Sequence, residues 1–148
     1  MSAYIEIDEA QEYFDLRLHT NAWDEAEDID RTKALETATR LIDRLNFLGS
    51  KTDDSQELQF PRGEDIDVPQ DIKFACAEIA LRLLDGFDPE LEYENLLIIS
   101  QGYSNVRSTY DRSRIPEHIA AGIPSIVAWR YIKPYIRDAQ VVDLSRAT

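Results

Sequence analysis

A helix whose apolar residues cover more than one side cannot lie on a surface; other elements must enclose it. The stretch after Pro69 reads this way. Ile72, Cys76, Ile79 and Leu83 form one stripe and Phe74, Ala77, Leu81 and Leu84 a second. Asp71, Glu78, Arg82 and Asp85 mark a narrow polar strip. Proline is tolerated in a first helical turn, so Pro69 marks the start, while Gly86 and Asp88-Pro89 mark the end. This segment is expected at the centre of a mainly α fold, a small helical bundle.

Other helices are available to surround it. Ala34, Leu35, Ala38, Leu41, Ile42, Leu45 and Leu48 recur at helical spacing after the acidic run Asp24–Asp30, with Asp30 as N-cap and Gly49 as the stop. Asp8 with Gln11 resembles a capping box and opens a short helix to about Leu18, carrying Tyr13, Phe14 and Leu18. The loop from Gly49 to Gln70 contains no His, no Cys and no glycine-rich phosphate cradle. Its Phe60-Pro61-Arg62 reads as a pin, either to the core or to a neighbouring chain.

Downstream the character changes. LLIISQGYSNVRSTY, from Leu96 to Tyr110, is rich in β-branched and aromatic residues. It predicts a β-hairpin or arm turning around Gly102–Asn105, with Tyr103, Val106, Arg107 and Tyr110 as candidates for contact with a neighbouring chain. A lone hairpin is marginal in water, so a neighbour would have to cover it. A helical turn follows at Glu117–Ala121, then a last short helix opened by Pro124 and closed before Pro134, then an extended tail. Trp129, Arg130, Tyr131, Tyr135, Ile136 and Arg137 have the composition of a protein interface and are the partner-docking candidates. Capping the chain's own core is an equal alternative for this helix. If it is a docking element, a chain ending at Ile123 should fold alone. No linker or repeat divides the sequence, so one domain spans 1–148, with core about 8–90, hairpin about 96–110 and docking segment about 124–148.

The chemistry of the chain is sparse. His19 and His118 stand far apart with no HExxH or Cys/His cluster, and the five glycines are scattered. The Asp24–Asp30 run lacks the glycine and closing glutamate of a calcium loop. Cys76, the one cysteine, is expected as a buried apolar residue. No enzyme activity, metal or cofactor is expected. No run reaches the roughly 18 apolar residues that suggest a membrane span, and MSAYIEIDEAQ has no features of a secretory signal. The net charge of −13 is uneven: residues 1–100 hold 25 acids against 9 bases, residues 101–148 hold 4 against 7. Affinity for DNA rests on cations that neutralise phosphates, so most of this surface should repel it.

Several segments in fixed order carry a resemblance: YFDLRL at 13–18, Trp23 before the acidic run, ATRLIDRLNFLGSKTDDSQELQFPRG at 38–63, VPQDIKFACAEIALRLL at 68–84, and STYDRSRIP before a helix ending in RYIKPYI. Over about residues 4–137 the chain resembles the head–tail connector (adaptor) proteins of tailed bacteriophages, some of which are labelled DnaT-like single-stranded-DNA-binding proteins. The resemblance implies a structural part of a virion neck, assembled in the host cytoplasm. It would be a dodecameric homo-oligomer ring joining the portal protein to a tail or head-closure protein, with DNA passing through without specific binding and no membrane involved. It implies a portal-reaching segment at about 124–148 and carries over no catalytic residue. The alternative is a single-stranded-DNA-binding protein. For that, Arg107, Tyr110, Arg112 and Arg114 with Trp129, Arg130, Tyr131 and Lys133 supply the cations and stacking aromatics.

Overall fold

The computed structural model describes residues 3–107 and 115–137. Among these the chain is mainly α: α1 (Ile7–Asp15), α2 (Asn21–Glu25), α3 (Asp28–Asp43), α4 (Gln70–Leu84), α5 (Pro89–Arg107), α6 (Glu117–Ala120) and α7 (Ile126–Ile132), with a 3-10 turn at Lys133–Tyr135. The described residues form no strand, only the isolated bridges Phe47–Ile136 and Lys51–Arg62.

α4 is the enclosed helix that its two stripes require. Ile72, Ala75, Cys76, Ala77, Ile79 and Ala80 are fully buried. α3 and α7 are its main neighbours, with α1 and α2 also packed against it. The small side chains Ala75, Ala77 and Ala80 let those neighbours come close. Even Glu78, expected on the polar strip, is buried; Arg17 and Tyr13 of the α1 region reach in to meet it.

Several boundaries differ from the sequence reading, each for a local reason. The Asp8–Gln11 capping box does not form; α1 begins after Glu6, and the Gln11 side chain instead donates to Asp15 and accepts from the Trp23 indole. α1 ends at Asp15, which leaves Leu18 outside the helix and exposed. α3 starts after Glu27, so Asp30 lies in its first turn and not at its cap. The same helix stops at Asp43, short of Leu48. There Phe47 turns inward to stack edge-on against Phe60 at 4.6 Å, and the Leu48 N–H donates to the Tyr135 carbonyl at 2.9 Å. Tertiary pairing outweighs continued helix. Gly49 then takes a left-handed turn at φ +72°, which glycine adopts without penalty.

The long loop is pinned to its own core. Phe60 is buried among Tyr4, Phe47 and Tyr135. The Tyr4 hydroxyl donates to Asp43 and accepts from the Phe60 N–H. The Arg62 guanidinium donates to the carbonyls of Leu48 (2.8 Å), Gly49 (2.7 Å) and Gln59 (3.2 Å), tying both ends of the loop together. Arg62→Ala is expected to cost about 1–3 kcal/mol, because several acceptors lose a charged donor. Native-state hydrogen exchange should then quicken at Thr52 and Gly63, whose N–H groups bond across the loop. Unchanged exchange at both amides would refute the clamp.

The expected hairpin is replaced by helix. α5 runs from Pro89 through Arg107, so Tyr103, Val106 and Arg107 lie on a helix; Tyr110 lies outside the described residues. Asp88-Pro89 is a start and not a stop. The Asp88 carboxylate accepts from the Glu90 (3.0 Å) and Leu91 (3.4 Å) N–H groups, and Pro89 occupies the first turn, where its missing donor costs nothing. Once nucleated there, the Leu- and Glu-rich turns that follow propagate the helix through Ile98, Ile99 and Gly102.

Candidate interaction surfaces

The C-terminal helix is held in place by its own chain. The Ser125 side chain accepts from the Ala128 N–H at 3.1 Å, a regular N-cap. α7 packs on α4 and buries Ala128, Ile132 and Trp129, the last only 9% exposed. The Trp129 indole donates to Glu117 at 3.3 Å, and Lys133, paired with the same carboxylate, lies 5.5 Å over its ring. Tyr131 meets Phe74 edge-on at 5.9 Å. Tyr135 meets Phe60 at 5.7 Å and directs its hydroxyl to Asp71 at 3.4 Å. Ile136 bridges to Phe47. Of the six expected docking residues, Trp129, Tyr131, Tyr135 and Ile136 thus take part in closing the monomer. Arg130 and Arg137 stand exposed at the surface.

The set considered for single-stranded DNA is not assembled among the described residues. Trp129 has no free face for a base, Lys133 is paired with Glu117, and Tyr110, Arg112 and Arg114 lie outside the described residues.

Most described cations of the body already have partners. Arg17 makes a two-pronged contact with Glu78, at 2.7 and 2.9 Å. Arg31 donates to the Trp23 carbonyl at 3.0 Å, pairs with Asp28 and lies 5.0 Å from the Trp23 ring. Lys73 pairs with Glu9 at 2.8 Å, Lys51 donates to the Gln56 carbonyl at 3.3 Å, and Arg82 covers Phe87 at 4.4 Å. With Arg62 in the loop, these side chains serve the fold.

Among the described residues no group of His, Cys, Asp and Glu is arranged to hold a metal ion. Burial pushes the Cys76 thiol up to about 12, so it stays protonated and unreactive at neutral pH. The His118 ring contacts the Ile123 carbonyl at 2.8 Å across the α6–α7 turn. Burial first, then the hydrogen bond to Glu78, raises the Tyr13 hydroxyl far above its usual range, which keeps it a neutral donor. No helix among the described residues is long and apolar enough to cross a membrane.

Two apolar surfaces stand out, of which only Ile98 of α5 falls within the stretch expected to need a neighbour. Leu16 and Leu18 project from the turn after α1, 94% and 78% exposed. The only local signal is YFDLRLH, whose spacing predicts helix to Leu18; α1 stops at Asp15 and the left-handed His19, at φ +60°, turns the chain there. The second is α5, where Leu91 and Ile98 are 55% and 65% exposed.

No curated protein and no solved structure matches the chain. A family model does match, over residues 1–122, which is most of the sequence. The chain belongs to the family described as "Putative DnaT-like ssDNA binding protein".

Proposed function

We propose that this member of the family is a non-catalytic structural adaptor of a phage neck, forming a ring that joins portal to tail and leaves a channel for DNA. The observation that carries the reading is where the charges go. Arg17, Arg31, Arg62 and Lys73 serve contacts within the fold and Lys133 sits in a surface pair with Glu117, while the chain retains a net charge of −13. Phosphate binding needs cations that are free to displace counterions, so such a surface lets DNA pass without gripping it. Repulsion at physiological salt reaches only about 8 Å, which confines this effect to the channel wall. The resemblance of the ordered segments to head–tail connectors supplies the rest of the reading. The exposed Arg130 and Arg137 are the remaining candidates for the portal contact.

A second reading, single-stranded-DNA binding, is favoured by the family's own description. One pair of measurements separates the two. A labelled single-stranded oligonucleotide at roughly 150 mM salt should show no sub-micromolar binding. The purified chain should join its cognate portal protein as rings visible by electron microscopy. Tight oligonucleotide binding lost in Arg112→Ala/Arg114→Ala, without portal association, would transfer the function to the second reading.

A further inference from the structure

Ala3–Ile5, ahead of α1, lies where α3 meets α4 and is held there by its side chains. Tyr4 and Ile5 are each 3% exposed. The Tyr4 N–H donates to the Thr39 hydroxyl at 3.0 Å, and among the described residues no backbone-to-backbone hydrogen bond involves Ala3, Tyr4 or Ile5. Thr39 in turn contacts the Cys76 sulfur at 3.4 Å, and the backbone of Tyr4 and Ile5 closes over the same sulfur. The Tyr4 ring meets Phe60 at 5.9 Å, where its hydroxyl links Asp43 to the Phe60 N–H. Ile5 lines two hollows, one of about 230 Å³ with Thr32 and Leu35 and one of about 450 Å³ with Tyr13 and Phe74. Glu6, extended at φ −87° and ψ 162°, joins the segment to α1.

We infer that Ala3–Ile5 is a strap that opens on its own, hinged at Glu6, while the helical body stays folded, and that its opening uncovers Cys76 and unpins the long loop. Segments come away locally when few bonds tie their backbone to the rest. The strap's backbone makes one, to Thr39, besides weak contacts to sulfur. The Thr39 hydroxyl, the Asp43 carboxylate and the Phe60 N–H that it leaves behind can each bond water instead. What resists opening is the burial of Tyr4 and Ile5, a fraction of the burial that holds α4 between α3 and α7. The link to the loop runs through the Tyr4 side chain. Once it leaves, the Phe60 N–H loses its acceptor and the Phe60 ring loses one of its three aromatic neighbours. A contact that draws the strap outward therefore loosens the loop between α3 and α4 without touching it.

Cys76 is the single cysteine, so alkylation of the full-length chain by iodoacetamide reports the opening on one side of Tyr4. Amide hydrogen exchange at Phe60 reports it on the other. Below the unfolding transition, Cys76 should react at a rate that low urea barely alters, because a local opening exposes little surface. Tyr4→Ala should speed alkylation and Phe60 exchange by the same factor, about a hundredfold. Should that variant fail to fold, Tyr4→Phe keeps the ring, drops both hydroxyl contacts and should speed both processes about tenfold. Arg17→Met weakens the body away from the strap and should leave both rates unchanged. The strap is overturned if Cys76 reacts only in step with global unfolding, either with the urea slope of the whole body or with an acceleration by Arg17→Met. It is equally overturned if the Phe60 amide keeps its protection in a Tyr4 variant whose Cys76 has become reactive, since strap and loop would then open separately.

Discussion

A chain ending at Ile123 should lose cooperative unfolding altogether. Its thermal melt should be broad and should begin at low temperature. Removing residues 124–148 strips away the helix that covers one side of α4. Trp129 and Ile132 alone, by analogy with core truncations to alanine, are together worth about 5–10 kcal/mol. The total stability of a domain this size is about 5–15 kcal/mol. The loss of Tyr135 from Phe60, and of the Leu48–Tyr135 backbone bond, then loosens the long loop as well. A truncated chain with a sharp melt would show that the last helix is an attachment and not part of the core. That is the outcome expected for a pure docking element, and the burial of Trp129 argues against it.

The second large effect concerns Glu78. Its carboxylate is buried against α1 and is met by Arg17 and the Tyr13 hydroxyl. Arg17→Met would leave a buried carboxylate with one neutral donor. Breaking a buried pair in this way costs about 3–5 kcal/mol; because the Arg17 side chain keeps 29% exposure, the lower end is expected. Removing the whole polar group should reverse the loss. The triple variant Tyr13→Phe, Arg17→Met, Glu78→Leu is expected within about 1 kcal/mol of wild type, since an apolar replacement needs no desolvation. Denaturant unfolding of the set measures both values. If Arg17→Met cost less than about 0.5 kcal/mol, Glu78 would be finding its compensation elsewhere.

The central helix was legible because its two stripes fill nearly the whole circumference, and only burial reconciles that pattern with water. The sequence also indicated α7, through Pro124 and the aromatic load that follows, although not which partner the load faced. The helix ends were less legible. Leu45 and Leu48 keep the α3 periodicity, but Phe47 gains more by meeting Phe60, a residue that reaches it through a loop with no periodic signal. The β-branched and aromatic content of 96–107 points to strand, but the nucleating Asp88-Pro89 pair makes it helix. A good cap decides whether a helix starts, and the residues after it need only tolerate being helical. The candidate surfaces leave little trace in the sequence. Exposure of Leu16 and Leu18 depends on where α1 ends, and helix ends are set by contacts that lie far away in sequence.

The bridge between Phe47 and Ile136 has a mechanical meaning. It ties together two points 89 positions apart, and the Arg137 N–H adds a bond to the Asn46 carbonyl. At the other end of the described body, the Tyr4 N–H donates to the α3 residue Thr39, and its ring rests against Phe60. Both ends of the body are thus fastened to α3 and the loop that follows it. A pull transmitted through the ends of the chain would load these attachments in series. The helix richest in buried side chains is then loaded only through α7, and at the C-terminal end the first element to yield would be the seam at Phe47 and Ile136.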